Sequence, residues 1–234
     1  MIPESWRQLA VRLAAELAII VLGVTLALWA DGWVSERGDR AREAARLTAL
    51  HQELERASAA LAFNLDNARG AISALRRVIE ATPSSGGDRR EDLRYAFLFG
   101  GGFSAEISVY EDLENAGELS LLTDPRVRTA LAYLDNRLQL IELAQADLGT
   151  VQQLHIDSYL LEQIDARPLY GGDIGLVDVA LDAESADRLL DDRGFRNRML
   201  LKLDLVTQLR VQYEEGLNAV TTAKTLIGDV LQAD

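Results

Sequence analysis

His51 and His155 are the only imidazoles in this chain of 234 residues, and there is no cysteine. A metal centre needs several converging ligands, and a nucleophilic site needs a nucleophile and a base in reach of each other. The two histidines fall on different predicted helices, and no HExxH run or acid–His spacing joins them to carboxylates. The lack of cysteine excludes disulfides, thiolate ligands and thiol nucleophiles. Carboxylates cluster at Glu111, Asp112 and Glu114 and at Asp191 and Asp192. Such pairs can exchange protons, but in an acidic helical chain they ordinarily form solvated faces. Gly100, Gly101 and Gly102 stand among Phe97, Phe99 and Phe103. This run lacks the Lys-Ser/Thr ending of a phosphate loop and reads as a break between helices, with docking of the phenylalanines on a partner or lipid as the alternative. No catalytic, cofactor or metal residue is assigned, and the chain reads as a non-enzyme.

Glu16 is the most pointed single candidate, because it stands at one end of the only long apolar run, Leu13 to Ala30. An ionisable group near membrane depth is a functional candidate by default; the alternative is a boundary residue paired with Arg12 one turn away. Eighteen helical residues span roughly 27 Å, close to the hydrocarbon core of a bilayer. The apolar residues between Leu17 and Leu28 favour insertion by roughly 2.5–5 kcal/mol. All three tryptophans bracket the run, Trp6 before it and Trp29 and Trp33 at its exit, where an apolar ring with a polar N–H suits a membrane–water boundary. Gly23 and Ala27 form a small-residue pair that would let another helix approach closely, as would Ala14 and Ala18. The Leu28-Trp29-Ala30 stretch is a poor cleavage site, so the run reads as an anchor rather than a signal peptide.

The net charge is −13, yet residues 1 to 46 hold six arginines and six acids, so the excess lies in the remaining body. A body this acidic repels phosphate backbones, which argues against a nucleic-acid partner. Lysine occurs only at Lys202 and Lys224.

The elements that must hold these residues are helical. Gly32 and Gly38 are read as interrupting the exit from the anchor. Leu47, Leu50, Leu54, Leu61, Leu65, Ala68, Ile72, Leu75 and Ile79 then fall mostly three or four apart, predicting a helix over 39–81. TPSSGGD, from Thr82, ends it. Short helices follow at 90–99 and, capped by Ser104, through Tyr110 and Leu113 to Asn115. Asp124-Pro125 is a strong helix start, and Val127, Leu131, Leu134, Leu138, Ile141, Leu148 and Val151 carry a helix over 125–165. A short extended piece is read at 174–179 and a short helix at 183–191. Met199, Leu203, Val206, Tyr213, Leu217, Val220, Ile227 and Leu231 give the last helix, 195–231, a coiled-coil seam. Each long helix has one apolar face and must bury it against the others. The expected fold is all-α, an N-terminal segment and transmembrane helix (1–36) followed by an elongated antiparallel helical bundle with short accessory helices (37–234).

The layout resembles a family of uncharacterised bacterial single-span membrane proteins. The matching elements are Glu16, Gly23, the LALWADGW stretch with Trp33, and Glu36-Arg37. Further matches are VYEDLENAGELSLLTDPRVRTALAYL, with Tyr110, Leu113, Gly117, Leu119 and Arg128, and FRNRMLLKL, Phe195 to Leu203. The resemblance implies architecture and anchoring in a bacterial inner membrane, with the N-terminus inside and the body periplasmic. Basic residues alone, Arg7 and Arg12 before the run against Arg37, Arg40, Arg42 and Arg46 after it, point the other way. The periplasmic body is the expectation carried forward.

The function expected is that of a structural or scaffolding accessory subunit of a larger membrane complex, respiratory or photosynthetic for example. Its partners would be the lipid bilayer and other membrane proteins, met through Glu16, Gly23, Ala27 and the bundle surface, with self-association left open and no cofactor. The alternative is a membrane-anchored sensory module with a helical ligand- or partner-binding domain.

Overall fold

The computed structural model describes residues 4–81, 90–104, 107–165, 167–170 and 183–233, and every described element is helical. Of the side chains, those of residues 1–16, 18, 19, 90, 169, 170 and 183 also stand outside the description. The extended piece expected at 174–179 lies outside the described residues, as does the whole of the turn at 82–88.

Helix α1 is one continuous rod, Glu4–Glu80. At 1.5 Å per residue its length is roughly 115 Å. The expected interruption at Gly32 and Gly38 does not occur. A single glycine costs a helix interior only about 1 kcal/mol relative to alanine, and between Glu4 and Glu80 there is no proline to remove a backbone donor. Leu47, Leu50, Leu54, Leu61, Leu65, Ala68, Ile72 and Leu75 are buried. The other long helices are α4, Pro125–Val151, and α8, Arg193–Ala233. Between them in sequence stand α5 (Ser158–Gln163), α6 (Arg167–Tyr170) and α7 (Ala183–Asp191).

Cross-links fix the directions of these rods. Lys224 pairs with Glu55 and Arg69 with Glu214, so α8 runs antiparallel to α1. Arg137 pairs with Glu215, and Lys202 bonds Gln152, so α8 also runs antiparallel to α4. Gly216 of α8 sits where the three meet: a methyl group there would stand 2.9 Å from Ile141 Cδ1 and 3.5 Å from a Leu61 methyl.

The chain returns from the top of α1 to the start of α4 through a segmented fourth rod. Its pieces are α2 (Arg90–Leu98), the glycine loop, α3 (Ser108–Asn115) and a 3-10 turn at Leu119–Leu121. It descends α1 in order: Asp92 bonds Arg77, Tyr95 bonds the Asn67 carbonyl, Val109 bonds Glu53 and Thr123 bonds Glu43. The result is an up–down–up–down helical bundle whose second member is broken.

Two α1 carboxylates hold that broken member in place. α3 starts at Ser108 behind Ile107, which offers no side-chain cap, so Ser104 is not the cap that its sequence position promised. Glu53 supplies the cap from α1: Oε1 accepts from the Ser108 hydroxyl (2.5 Å) and Oε2 from the Val109 N–H (3.1 Å). Glu43 is buried and accepts both the N–H (2.6 Å) and the hydroxyl (2.8 Å) of Thr123. Asp124 then caps α4 through the Arg126 N–H (2.7 Å), with Pro125 at the first helical position.

The helix expected over 125–165 follows one path but not one hydrogen-bond pattern. Gln152–Asp157 forms a π-helical turn between α4 and α5. Such a turn accommodates one extra residue and commonly marks a functional position.

Candidate functional site

The π-helical turn, the end of α2 and the first third of α8 converge on one buried amine. Lys202 is fully buried in α8. Its Nζ donates to the Phe97 carbonyl (2.9 Å) and to Gln152 Oε1 (2.6 Å). Gln152 Nε2 donates in turn to the same Phe97 carbonyl (3.0 Å) and to Asp157 Oδ1 (2.5 Å). Burial lowers the Lys202 pKa from its ordinary value to about 7, and the charge of Asp157 opposes that shift. A neutral amine carries two N–H groups, matching the two acceptors, whereas an ammonium would leave its third N–H without a partner among the described residues.

Lys202 went unread in the sequence although its spacing carried the signal. The buried residues of α8 include Met199, Lys202, Val206, Leu209, Tyr213, Gly216, Val220, Ala223 and Ile227. These alternate three and four apart, and Ala219 is buried beside them. Leu203, Leu217 and Leu231, expected in the seam, are only partly buried flanks of it. A hydrophobicity count prefers Leu203 to its neighbour; the heptad prefers Lys202.

The buried node supports the glycine loop from inside. Gln145 of α4 clasps Phe103 at both backbone groups, accepting from its N–H (2.9 Å) and donating to its carbonyl (3.0 Å). Gly101 adopts φ +71°, a left-handed conformation that favours glycine, and a methyl group there would meet Leu209 and Gln145. Tyr213 packs edge-on against Phe103 at 6.0 Å. Burial pushes its phenol up to about 12, with the nearby Gly102 and Phe103 amides opposing. The Phe103 N–H is already given to Gln145, and the Tyr213 hydroxyl has no partner among the described residues.

Outside the loop lies an open groove of about 690 Å³ between α1 and α2. Ala60, Phe63, Asn64 and Asn67 of α1 form one wall; Arg94, Tyr95 and the Leu98–Gly102 stretch form the other. Phe63 is exposed and Tyr95 partly so. The aromatic break between helices is thus one wall of a groove, backed by a buried polar node.

The structure scatters the other sequence candidates. Trp6 and Glu16 lie on α1 with side chains outside the described residues. Trp29 and Trp33 are 70% and 53% exposed, and Arg37 stacks over the Trp33 ring at 5.1 Å. Gly23 has no atom within 4 Å of where a side chain would start, and Ala27 is exposed. His51 is half-buried on α1 and His155 exposed in the π-helical turn, far apart in the sequence and on different rods. Among the described residues no three His, Asp or Glu side chains gather as a metal site would require. Glu111, Asp112 and Glu114 are exposed. Asp192 is a structural cap: Oδ1 accepts the Phe195 N–H (2.7 Å), which lowers its pKa. No protein-family model, curated protein or solved structure matches the chain.

Proposed function

We propose that this chain is a non-enzymatic, single-span protein of a bacterial inner membrane, whose helical body serves as a scaffold or accessory subunit for other membrane proteins. The observation that carries the reading is the two-part character of α1. From Glu43 onward one face of this helix is core. Before it, the described apolar side chains Leu17, Ile20, Val21, Leu22, Val24, Leu26, Leu28, Trp29, Trp33 and Val34 are all more than half exposed. At 100° per residue they point in every direction around the axis. A helix apolar all round belongs inside a large protein or a bilayer, and an exposed apolar surface of this extent marks an interaction site. Among the described residues alone no helix is long and apolar enough to cross a membrane; the run from Leu13 to Ala30 extends into side chains outside that set.

The resemblance to single-span membrane proteins supports a body on the periplasmic side. The bundle would stand clear of the bilayer, since about thirteen residues, roughly 20 Å of helix, separate Ala30 from Glu43. Alkaline carbonate extraction of membranes tests the anchor: the chain should stay in the pellet, and release into the supernatant would overturn it. Purification from native membranes in a mild detergent tests the scaffold. A stoichiometric assembly larger than the monomer is expected, and a lone monomer would count against it.

One observation favours the second reading, a membrane-anchored sensory module. The wall of the groove formed by Ala60, Phe63, Asn64 and Asn67 belongs to the same unbroken helix that would enter the membrane. A ligand there would bear directly on the anchor.

A further inference from the structure

The glycine loop holds one glycine that the fold requires and two that it does not. Gly101 needs its positive φ and its lack of a side chain against Leu209 and Gln145. Gly100 and Gly102 have ordinary backbone angles, and nothing stands within 4 Å of the position a methyl group would take. Both line the groove, so a bulky side chain at either would take up space at its wall. The space they leave open has aromatic walls, and among the described residues its one charged lining residue is Arg94. Arg94 lies 3.9 Å from the exposed carboxylate of Glu91 and is engaged beyond that pair as well, but a guanidinium with five donors can serve several acceptors at once. The acidity of the whole body does not outweigh this local charge, because exposed charges are largely screened beyond about 8 Å at physiological salt.

We propose that this groove binds a water-soluble planar aromatic carboxylate, its ring against Phe63, Tyr95 and Phe99 and its carboxylate at Arg94. The volume of about 690 Å³ lies within the usual range for small-molecule sites, which are mostly apolar with a few polar groups that set orientation. Solubility follows from the proposed membrane anchorage, on which this part of the inference rests. Ala60 lies thirty residues beyond Ala30, so the groove stands roughly 45 Å from the end of the apolar run, out of reach of a lipid seated in the bilayer. The ligand would touch α1 directly and the Lys202 node through the loop.

Isothermal titration of the full chain in lipid nanodiscs with 2-naphthoate tests the proposal, with empty nanodiscs as the blank. One saturable site is expected, with 2-naphthylmethanol, which lacks the charge, binding at least tenfold more weakly. Phe63→Ala and Arg94→Gln should each weaken naphthoate at least tenfold. Gly102→Leu, which fills the groove at a position free of contacts, should abolish binding while leaving the helical melting curve in place, so that a folding failure of one variant does not decide the matter. Heats equal to the blank would overturn the proposal, as would binding that ignores both Phe63→Ala and Gly102→Leu. Equal binding of the alcohol would overturn the role of Arg94. Carbonate extraction reports the membrane anchor separately, so a soluble chain that still binds naphthoate would sink the anchorage and the distance argument but not the groove.

Discussion

A single buried amine carries the clearest residue-scale consequence. In the unfolded chain Lys202 titrates near its ordinary value of 10.5, and in the fold near 7. Between these values the unfolded state binds more protons, so stability must rise with pH across that window. Below about pH 7 both states are charged and the penalty of burying the ammonium is fully present. A shift of this size corresponds to a few kcal/mol. Denaturant unfolding of wild type and Lys202→Met between pH 6.5 and 10 should therefore diverge, with wild type gaining stability relative to the variant as pH rises. Parallel curves would mean that Lys202 is not desolvated. Tyr213 acts oppositely: its raised pKa makes the unfolded state lose its proton first, so stability falls above about pH 10. The cap from Glu53 makes a second residue-scale prediction. Glu53→Ala removes the acceptor of the Ser108 hydroxyl and the Val109 N–H and should cost about 1 kcal/mol. Thermal melting would show it, and an unchanged midpoint would mean that water caps α3 equally well.

Among the elements, those with a strong 3.6-residue period were legible in the sequence and those held by distant partners were not. The seams of α1 and α4 are buried from Leu47 to Leu75 and from Val127 to Leu148. The seam of α8 was displaced by one residue wherever a polar or small side chain, Lys202 or Gly216, occupies the core. The α3 start escaped because its cap comes from a carboxylate on α1. The groove escaped for the same reason, since its two walls come from separate stretches of sequence and are lined mostly by ordinary aromatics, small residues and glycines. The π-helical turn left no sequence mark, and it makes a prediction. Its extra residue is already out of α-helical register, so deleting exposed Gln153 should let α4 continue into α5 as plain α-helix. Deleting exposed Ala146 instead would rotate everything beyond it by about 100° and take Leu148 and Ile156 out of the core. The midpoint of thermal unfolding, followed by circular dichroism, should fall much less for the first deletion than for the second. Equal losses would mean that the turn is fixed by Lys202 and Phe97 rather than by helix register.

At the scale of the whole molecule, α1 is core, groove wall and exposed apolar rod in turn, so under the proposed membrane anchorage the orientation of the chain would decide which compartment the groove faces. The basic residues flanking the run are finely divided, Arg7 and Arg12 on one side against Arg37, Arg40, Arg42 and Arg46 on the other. Three of the latter are engaged, Arg37 over Trp33, Arg40 with Glu36 and Arg42 with Asp39. Acids count little in setting topology, so these pairings do not remove the four positive charges from the balance. The proposed periplasmic body therefore stands against a local charge bias and has a direct test. The chain contains no cysteine, so one introduced thiol is an unambiguous reporter. Asp147 is exposed on α4, away from the groove lining and the Lys202 node, and Asp147→Cys should leave the fold intact. In intact spheroplasts a membrane-impermeant maleimide should label this variant to the same extent as after lysis. Labelling that appears only on lysis would put the body in the cytoplasm. The groove would then sample cytoplasmic rather than periplasmic solutes, and the arginine-rich exit of the helix would have set the topology.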